Sequence, residues 1–293
     1  MALHQRSGRP ECCPYGGGRP RDRDVGQGRE KVNVPLGLGR LCAYPSAMAE
    51  WTDRAISLGL RRFGETGAIL EVFAREHGRR RALVYGGSSQ TKRGPMQVGN
   101  TLLVTWKGGQ DSLGFFTAET ESERAARYMS DAAALSALSA MSELLANALP
   151  EGEAKPALFD VAETVLDMLG EPEIWPALFV RWELGLLSML GYGLDLSACA
   201  ISGSNDGLTH VSPKSGRAVK GSEAGEYLGR LLPLPQFLVD ATAPASPVDI
   251  HNGFRLTGHF LAERLFSDLN RAAPEARYLM IDRLERAGRL SPD

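Results

Sequence analysis

The chain has 293 residues, 43% of them hydrophobic, and a formal net charge of -2 at pH 7. That length suits two domains and that apolar content a sizeable core, while the longest apolar stretch, near Trp175–Leu190, is broken by Arg181 and Glu183 and excludes a membrane span. The near-neutral total conceals an asymmetry: Met1–Ala47 holds 8 basic and 4 acidic residues, Met48–Ala118 holds 10 and 6, and Glu119–Asp293 holds 15 and 25. A basic front and an acidic rear point to a polyanion partner for the front.

Residues 1–47 are dominated by Gly, Pro and Arg and keep no apolar period, so a disordered basic extension is expected. The segment lacks the apolar core of a secretory signal, and Glu11, Asp22, Asp24 and Glu30 are out of place in a transit peptide. Met48, directly before the first patterned residues, is the expected translation start; the competing reading is a basic arm that touches nucleic acid. Three of the four cysteines, Cys12, Cys13 and Cys42, lie in this segment. Cys199 alone remains in the folded part, which excludes a disulfide framework there and implies a reducing, cytoplasmic setting.

From residue 48 to 118 the pattern has period two. Five strands are predicted, Ala55–Leu60, Ala68–Phe73, Ala82–Tyr85, Thr101–Trp106 and Ser112–Thr117, separated by glycine-containing turns. Five short strands in about 70 residues suit an OB-type barrel, which leaves one face and its loops for an oligonucleotide. An SH3-like barrel is the structural alternative.

A groove that follows a sugar-phosphate backbone needs cations for the phosphates and aromatic faces for the bases. Arg61, Arg62, Arg79, Arg80, Arg81, Lys92, Arg93 and Lys107 are candidates for the first role. Trp106, Tyr85 and Phe63 are candidates for the second. The competing reading makes the cations a solvated surface and Trp106 a core residue, since strand aromatics usually pack inward.

Residues 119–293 change to helical spacing. Leu135, Leu138, Met141, Leu144, Leu145 and Leu149 mark an amphipathic helix within Glu119–Ala148, ended by Pro150. Further helices are predicted over Pro156–Leu169, Ile174–Leu190, Glu223–Leu232, Gly253–Phe266 and Glu275–Leu284. Residues 197–222, rich in Gly, Ser and Pro, interrupt them as a loop or hairpin module. The expected fold class is therefore α+β, an OB-fold barrel followed by a mainly α-helical domain.

Motifs for catalysis are missing. Gly86-Gly87-Ser88-Ser89-Gln90-Thr91-Lys92 lacks the second glycine and the Lys-Ser/Thr ending of a phosphate-binding loop. His259 and Glu263 share a helix face without the second histidine of a zinc protease, and His77 and His210 fall in turns away from any nucleophile motif. The expectation is a non-enzymatic protein without cofactor.

The order WTDRAISLGLRRFGETGAILEVFAREHGR, LVYGG, VGNTLLVTW, WPALFVRWELGLLSMLGYGLDLSACAISG, VSPKSGRAV and LTGHFLAERLF, spanning about Trp51 to Leu284, resembles the RecO family of bacterial recombination-mediator proteins. The resemblance implies an N-terminal OB-fold with a helical domain behind it, DNA repair by recombination, binding of single- and double-stranded DNA, and annealing of complementary strands. It further implies partnership with RecR and single-stranded-DNA-binding protein to load RecA, in the cytoplasm at the nucleoid.

Some family members hold zinc with two CxxC pairs. Here the first pair reads Cys199-Ala200-Ile201-Ser202, and Lys220 and Glu223 stand where the second is expected. One thiolate cannot complete a tetrahedral site, so no zinc is predicted. Lys214, Arg217 and Lys220 make the same module basic, which leaves open a DNA contact or a solvated hairpin. The alternative from another class is a non-catalytic adaptor whose basic barrel binds acidic protein tails.

Overall fold

The computed structural model describes residues 49–87, 89, 93–109 and 112–292, so the expectations for residues 1–47 and for Lys92 fall outside it. Five strands, β1 (Ala49–Phe63), β2 (Gly67–Ala74), β3 (Gly78–Tyr85), β4 (Thr101–Gly108) and β5 (Phe115–Ser122), close into a barrel in the order β1-β2-β3-β5-β4. The predicted cores of the first four strands lie inside these spans. Strand β5 begins three residues later than the predicted Ser112, because Gly114 takes a positive φ of 64° that ends the preceding turn. The alternating side chains of β2, Ala68, Leu70 and Val72, fill the barrel with Ala55, Leu102, Val104 and Phe116.

The helical part opens with one turn, Arg124–Arg127, and continues as α1 (Ala132–Ala148), α2 (Pro156–Asp167) and α3 (Trp175–Met189). The sequence placed helix from Glu119, but β5 claims Glu119–Ser122. Helix α1 instead starts where Asp131 accepts hydrogen bonds from the amides of Ala133 (2.9 Å) and Ala134 (3.1 Å). It stops at Leu149, which is extended ahead of Pro150.

The inserted module is a three-stranded sheet of order β7-β6-β8, with β6 Leu208–Val211, β7 Ala218–Lys220 and β8 Leu232–Pro233. Residues 225–230, predicted as α-helix, form 3-10 turns, since Gly225 and Gly229 deprive the segment of helix-forming residues. Helix α4 (Pro247–Phe260) begins earlier than predicted, with a capping box between Ser246 and Asp249, and runs into a π-helical stretch at Leu261–Phe266. Helix α5 (Glu275–Arg286) closes the chain.

The outer face of the barrel joins the hydrophobic core of the helices, a cluster separate from the one inside the barrel. Ile56, Leu58 and Phe73, which point out of the barrel, are buried against the α1 and α2 residues Leu138, Met141 and Phe159. Gly99 takes a φ of 83° and lies so close to Leu138 that an added Cβ would sit 2.6 Å from its Cδ2. Polar ties reinforce the junction: Arg124, 1% exposed, reaches Asp167 (2.8 Å), Thr101 Oγ1 (2.6 Å) and the carbonyl of Gly99 (3.1 Å). Arg75 clasps Asp160 through both carboxylate oxygens, at 2.7 and 2.8 Å, and holds that carboxyl below the usual carboxylate range. No helix of the described residues is long and apolar enough to cross a membrane.

Candidate nucleic-acid interface

The register of the ladders decides what the barrel presents. Phe63 pairs with Gly67, and Gly67 pairs with Tyr85; in the next row Arg61 pairs with Ile69, Ile69 with Leu83 and Leu83 with Phe115. Side chains directly opposite in a ladder share a face, and these alternate with the inward Leu60, Ala68 and Val84. Phe63, Tyr85 and Phe115 are therefore on the outer surface and exposed, and the rings of Tyr85 and Phe115 stack at 4.8 Å with an interplanar angle of 9°. Phe63 stands at the β1–β2 turn and Phe115 directly after the β4–β5 loop. These are the β2–β3 face and the two loops with which OB-folds bind oligonucleotides.

Arg61 and Arg62 enter the same turn, and Arg93 lies in the β3–β4 connection; all three are exposed. None of the three has an acidic partner among the described residues. A groove of about 310 Å³, lined by Val84, Tyr85, Met96 and Phe116, opens beside the aromatic row because β3 and β5 pair only at Leu83 and Phe115.

The other predicted cations are placed differently. Arg79 has 15% of its side chain exposed, donates from Nε to the carbonyl of Leu149 (2.9 Å) and pairs through Nη1 with Glu71 (2.5 Å). Arg80 lies against Gly152, an added Cβ there falling 3.2 Å from its Nη2, and its Nε is buried without a partner. Arg81 pairs with Glu151 at 2.9 Å, a hydrogen bond that raises the guanidinium pKa further. All three thus engage the segment that links α1 to α2. Lys107 is exposed and pairs with Glu50 at 2.9 Å.

Trp106 points inward on the same alternation as Leu102 and Val104. It stacks on Trp51 at 5.9 Å and donates its indole N–H to the carbonyl of Leu113 (3.2 Å). Trp51 in turn stacks on His77 at 3.9 Å, and His77 Nδ1 lies 2.8 Å from Asp53. These rings plug one end of the barrel. Phe115 is the surface aromatic that the sequence reasoning did not single out, although the alternation in Phe115-Phe116-Thr117-Ala118 contains the signal.

In the inserted module, Cys199 meets both positions expected of the second cysteine pair. Its sulfur accepts the Lys220 amide at 3.3 Å and lies 3.3 Å from Glu223 Oε2. The amides of Lys220 and Ser202 hold the thiol pKa below its ordinary value. Among the described residues, no three His, Cys, Asp or Glu side chains gather as a metal site. Lys220 also pairs with Asp206 and Arg217 with Asp195, so much of the module's positive charge is matched locally.

Comparison with known proteins agrees with this architecture. The family model described as recombination protein O N terminal matches residues 48–122, and that described as recombination protein O C terminal matches residues 129–272. The DNA repair protein RecO of Hyphomonas neptunium is 53% identical over 237 residues, covering 80% of this chain and 98% of the relative. Proteins of the same name from Ruegeria sp. and Phenylobacterium zucineum are each 44% identical, covering 81% and 82% of this chain and 99% and 100% of theirs. With the five-stranded barrel in front, the helical domain behind and relatives matched over nearly their whole length, the chain belongs to the RecO family of DNA repair proteins acting in recombination.

Proposed function

We propose that this protein is a non-catalytic recombination mediator that binds single- and double-stranded DNA, anneals complementary strands and assists the loading of RecA. RecR and single-stranded-DNA-binding protein are its proposed partners, and the nucleoid its place of work. The observation that carries the reading is the row of exposed aromatics, Phe63, Tyr85 and Phe115, with Arg61 on the same face of the barrel; Arg62, at the end of β1, and Arg93, in the β3–β4 connection, are exposed cations outside that row. Bases stack on aromatic rings whatever their sequence, at about 1–3 kcal/mol each, while guanidinium groups take the phosphates. Annealing brings two polyanions together, and neutralising one of them at this face lowers the repulsion that opposes it.

The test is fluorescence anisotropy of a labelled single-stranded oligonucleotide with the full chain over a series of salt concentrations, repeated with R61A/R62A. The native chain is expected to bind with a slope of several counterions, and the double variant to lose about 0.7 of a unit for each phosphate contact removed. If the chain binds no oligonucleotide, yet binds an acidic peptide that R61A/R62A releases, the barrel is a protein-binding adaptor and the mediator reading fails.

A further inference from the structure

Outside the barrel, the C-terminal helix forms a second basic feature. Arg283 and Arg286 occupy the last turn of α5 and Arg289 follows just beyond it. With Ser130, Asp131 and Ala132 they line a concavity of about 550 Å³ at the start of α1. We propose that this concavity is a phosphate-group site, separate from the barrel face.

Three observations support it. Arg289 Nη1 is buried and has no hydrogen-bond partner, although Nη2 of the same guanidinium reaches Asp131 at 3.2 Å. A buried donor without an acceptor is costly and uncommon, so the Arg289 guanidinium is under-satisfied within the fold, and 22% of its side chain stays open to solvent. Arg286 keeps 77% of its side chain exposed and, among the described residues, is held only by an i,i+4 pair with Asp282. Such a surface pair contributes little, so the guanidinium is available to an incoming anion.

The wall behind them is fixed. Arg283 Nη1 donates to the carbonyl of Ala132 (2.9 Å) and to Ser136 Oγ (2.5 Å), pinning α5 to α1. One carboxylate, Asp131, shares the lining, but it already accepts from the amides of Ala133 and Ala134 and from Arg289. Three guanidinium groups against two carboxylates, Asp131 in the lining and Asp282 on Arg286, leave the cluster net positive, and the planar fork of arginine suits tetrahedral phosphate oxygens. The phosphate can belong to a nucleic-acid backbone or to a free nucleotide or phosphorylated metabolite; the recognising chemistry is the same.

The experiment has two arms and uses the full chain, R286A/R289A and R286A/R289K. In the first, thermal unfolding is followed with increasing inorganic phosphate against chloride of equal ionic strength. The native midpoint is expected to rise with phosphate beyond the chloride control, as binding to the folded state requires. R286A/R289A is expected to lose that rise, and R286A/R289K, which restores one charge without the fork, to recover only part of it. No phosphate-specific rise in the native chain, or an undiminished rise in R286A/R289A, overturns the proposal.

The second arm identifies the source. Duplex anisotropy over a salt series is expected to lose about 0.9 of a slope unit per phosphate contact in R286A/R289A if the backbone occupies the site. An unchanged slope, with the phosphate response lost, assigns the site to a free phosphorylated molecule. R61A/R62A keeps the phosphate response in either case, so failure of the barrel reading is read separately.

Discussion

The buried ion pair between α3 and α5 yields the sharpest energetic test. Glu183 is 0% and Arg277 2% exposed; Arg277 Nε meets Glu183 Oε1 at 2.6 Å, and Nη2 meets Oε2 at 2.9 Å. Thr257 from α4 donates to the same Oε2 at 2.5 Å, and Arg277 Nη2 also donates to the carbonyl of Phe254 at 2.8 Å. Replacing Glu183 by Leu leaves a guanidinium in the core without its counter-charge. Replacing Arg277 by Met leaves a carboxylate with one hydroxyl. Breaking one side of such a pair costs about 3–5 kcal/mol, whereas exchanging both partners for apolar groups is often close to neutral. E183L and R277M are therefore each expected to lower stability by about that amount, and E183L/R277M to stand far above the sum of the two. Urea unfolding followed by circular dichroism reads this as a drop in midpoint at unchanged slope for the single variants and a recovery in the double. Single variants within about 1 kcal/mol of native, or a double variant at the sum of the singles, would refute the reasoning.

Other expectations follow from the barrel and its junction. R79M is expected to lower the thermal midpoint while leaving the salt slope of single-strand binding unchanged, because Arg79 serves Leu149 and Glu71 rather than solvent. Y85A and F115A are each expected to weaken single-strand binding by about 1–3 kcal/mol with no change in salt slope, since stacking releases no counterions. Gly78 has a φ of 67°, and an added Cβ would lie 2.2 Å from the carbonyl oxygen of Glu153; G78A should therefore unfold at clearly lower urea than native. D131A removes the cap of α1 and is expected to cost about 1 kcal/mol at neutral pH. Burial alone would raise the Asp131 pKa, but the Ala134 amide and Arg289 outweigh it and hold the carboxyl below its ordinary value. The stabilisation is present above the unfolded pKa and fades as pH falls through the folded one, so native and D131A stabilities should converge in acid.

Much of this architecture is legible in the sequence because the two halves differ in period. Alternation in Ala68–Phe73 and Thr101–Trp106 gave strands, and the leucines of α1 gave a helix, since each pattern buries one face only in one geometry. The boundaries were harder to read. Glu119–Ser122 has neither a turn signal before it nor a glycine after it, and its four charged or hydroxyl side chains carry no apolar alternation; only pairing with the preceding strand β4 makes it extended. The site was legible by composition and not by partner. Arg79, Arg80 and Arg81 look like Arg61 and Arg62 along the chain, and only the fold brings Leu149, Glu151 and Gly152 to the first three. Trp106 was open to both readings until the ladder with β1 placed it opposite Trp51.

The family matches divide the chain between residues 122 and 129, yet the physical seam does not follow that line. Ile56, Leu58 and Phe73 belong to the same buried cluster as the helices, and the Gly152 amide donates to the carbonyl of Arg79 at 2.9 Å. A barrel cut out after β5 would bare that apolar patch to water. Exchange of gene segments between relatives at this boundary would have to carry matched surfaces on both sides, so the two halves are bound to drift together, as one unit of inheritance.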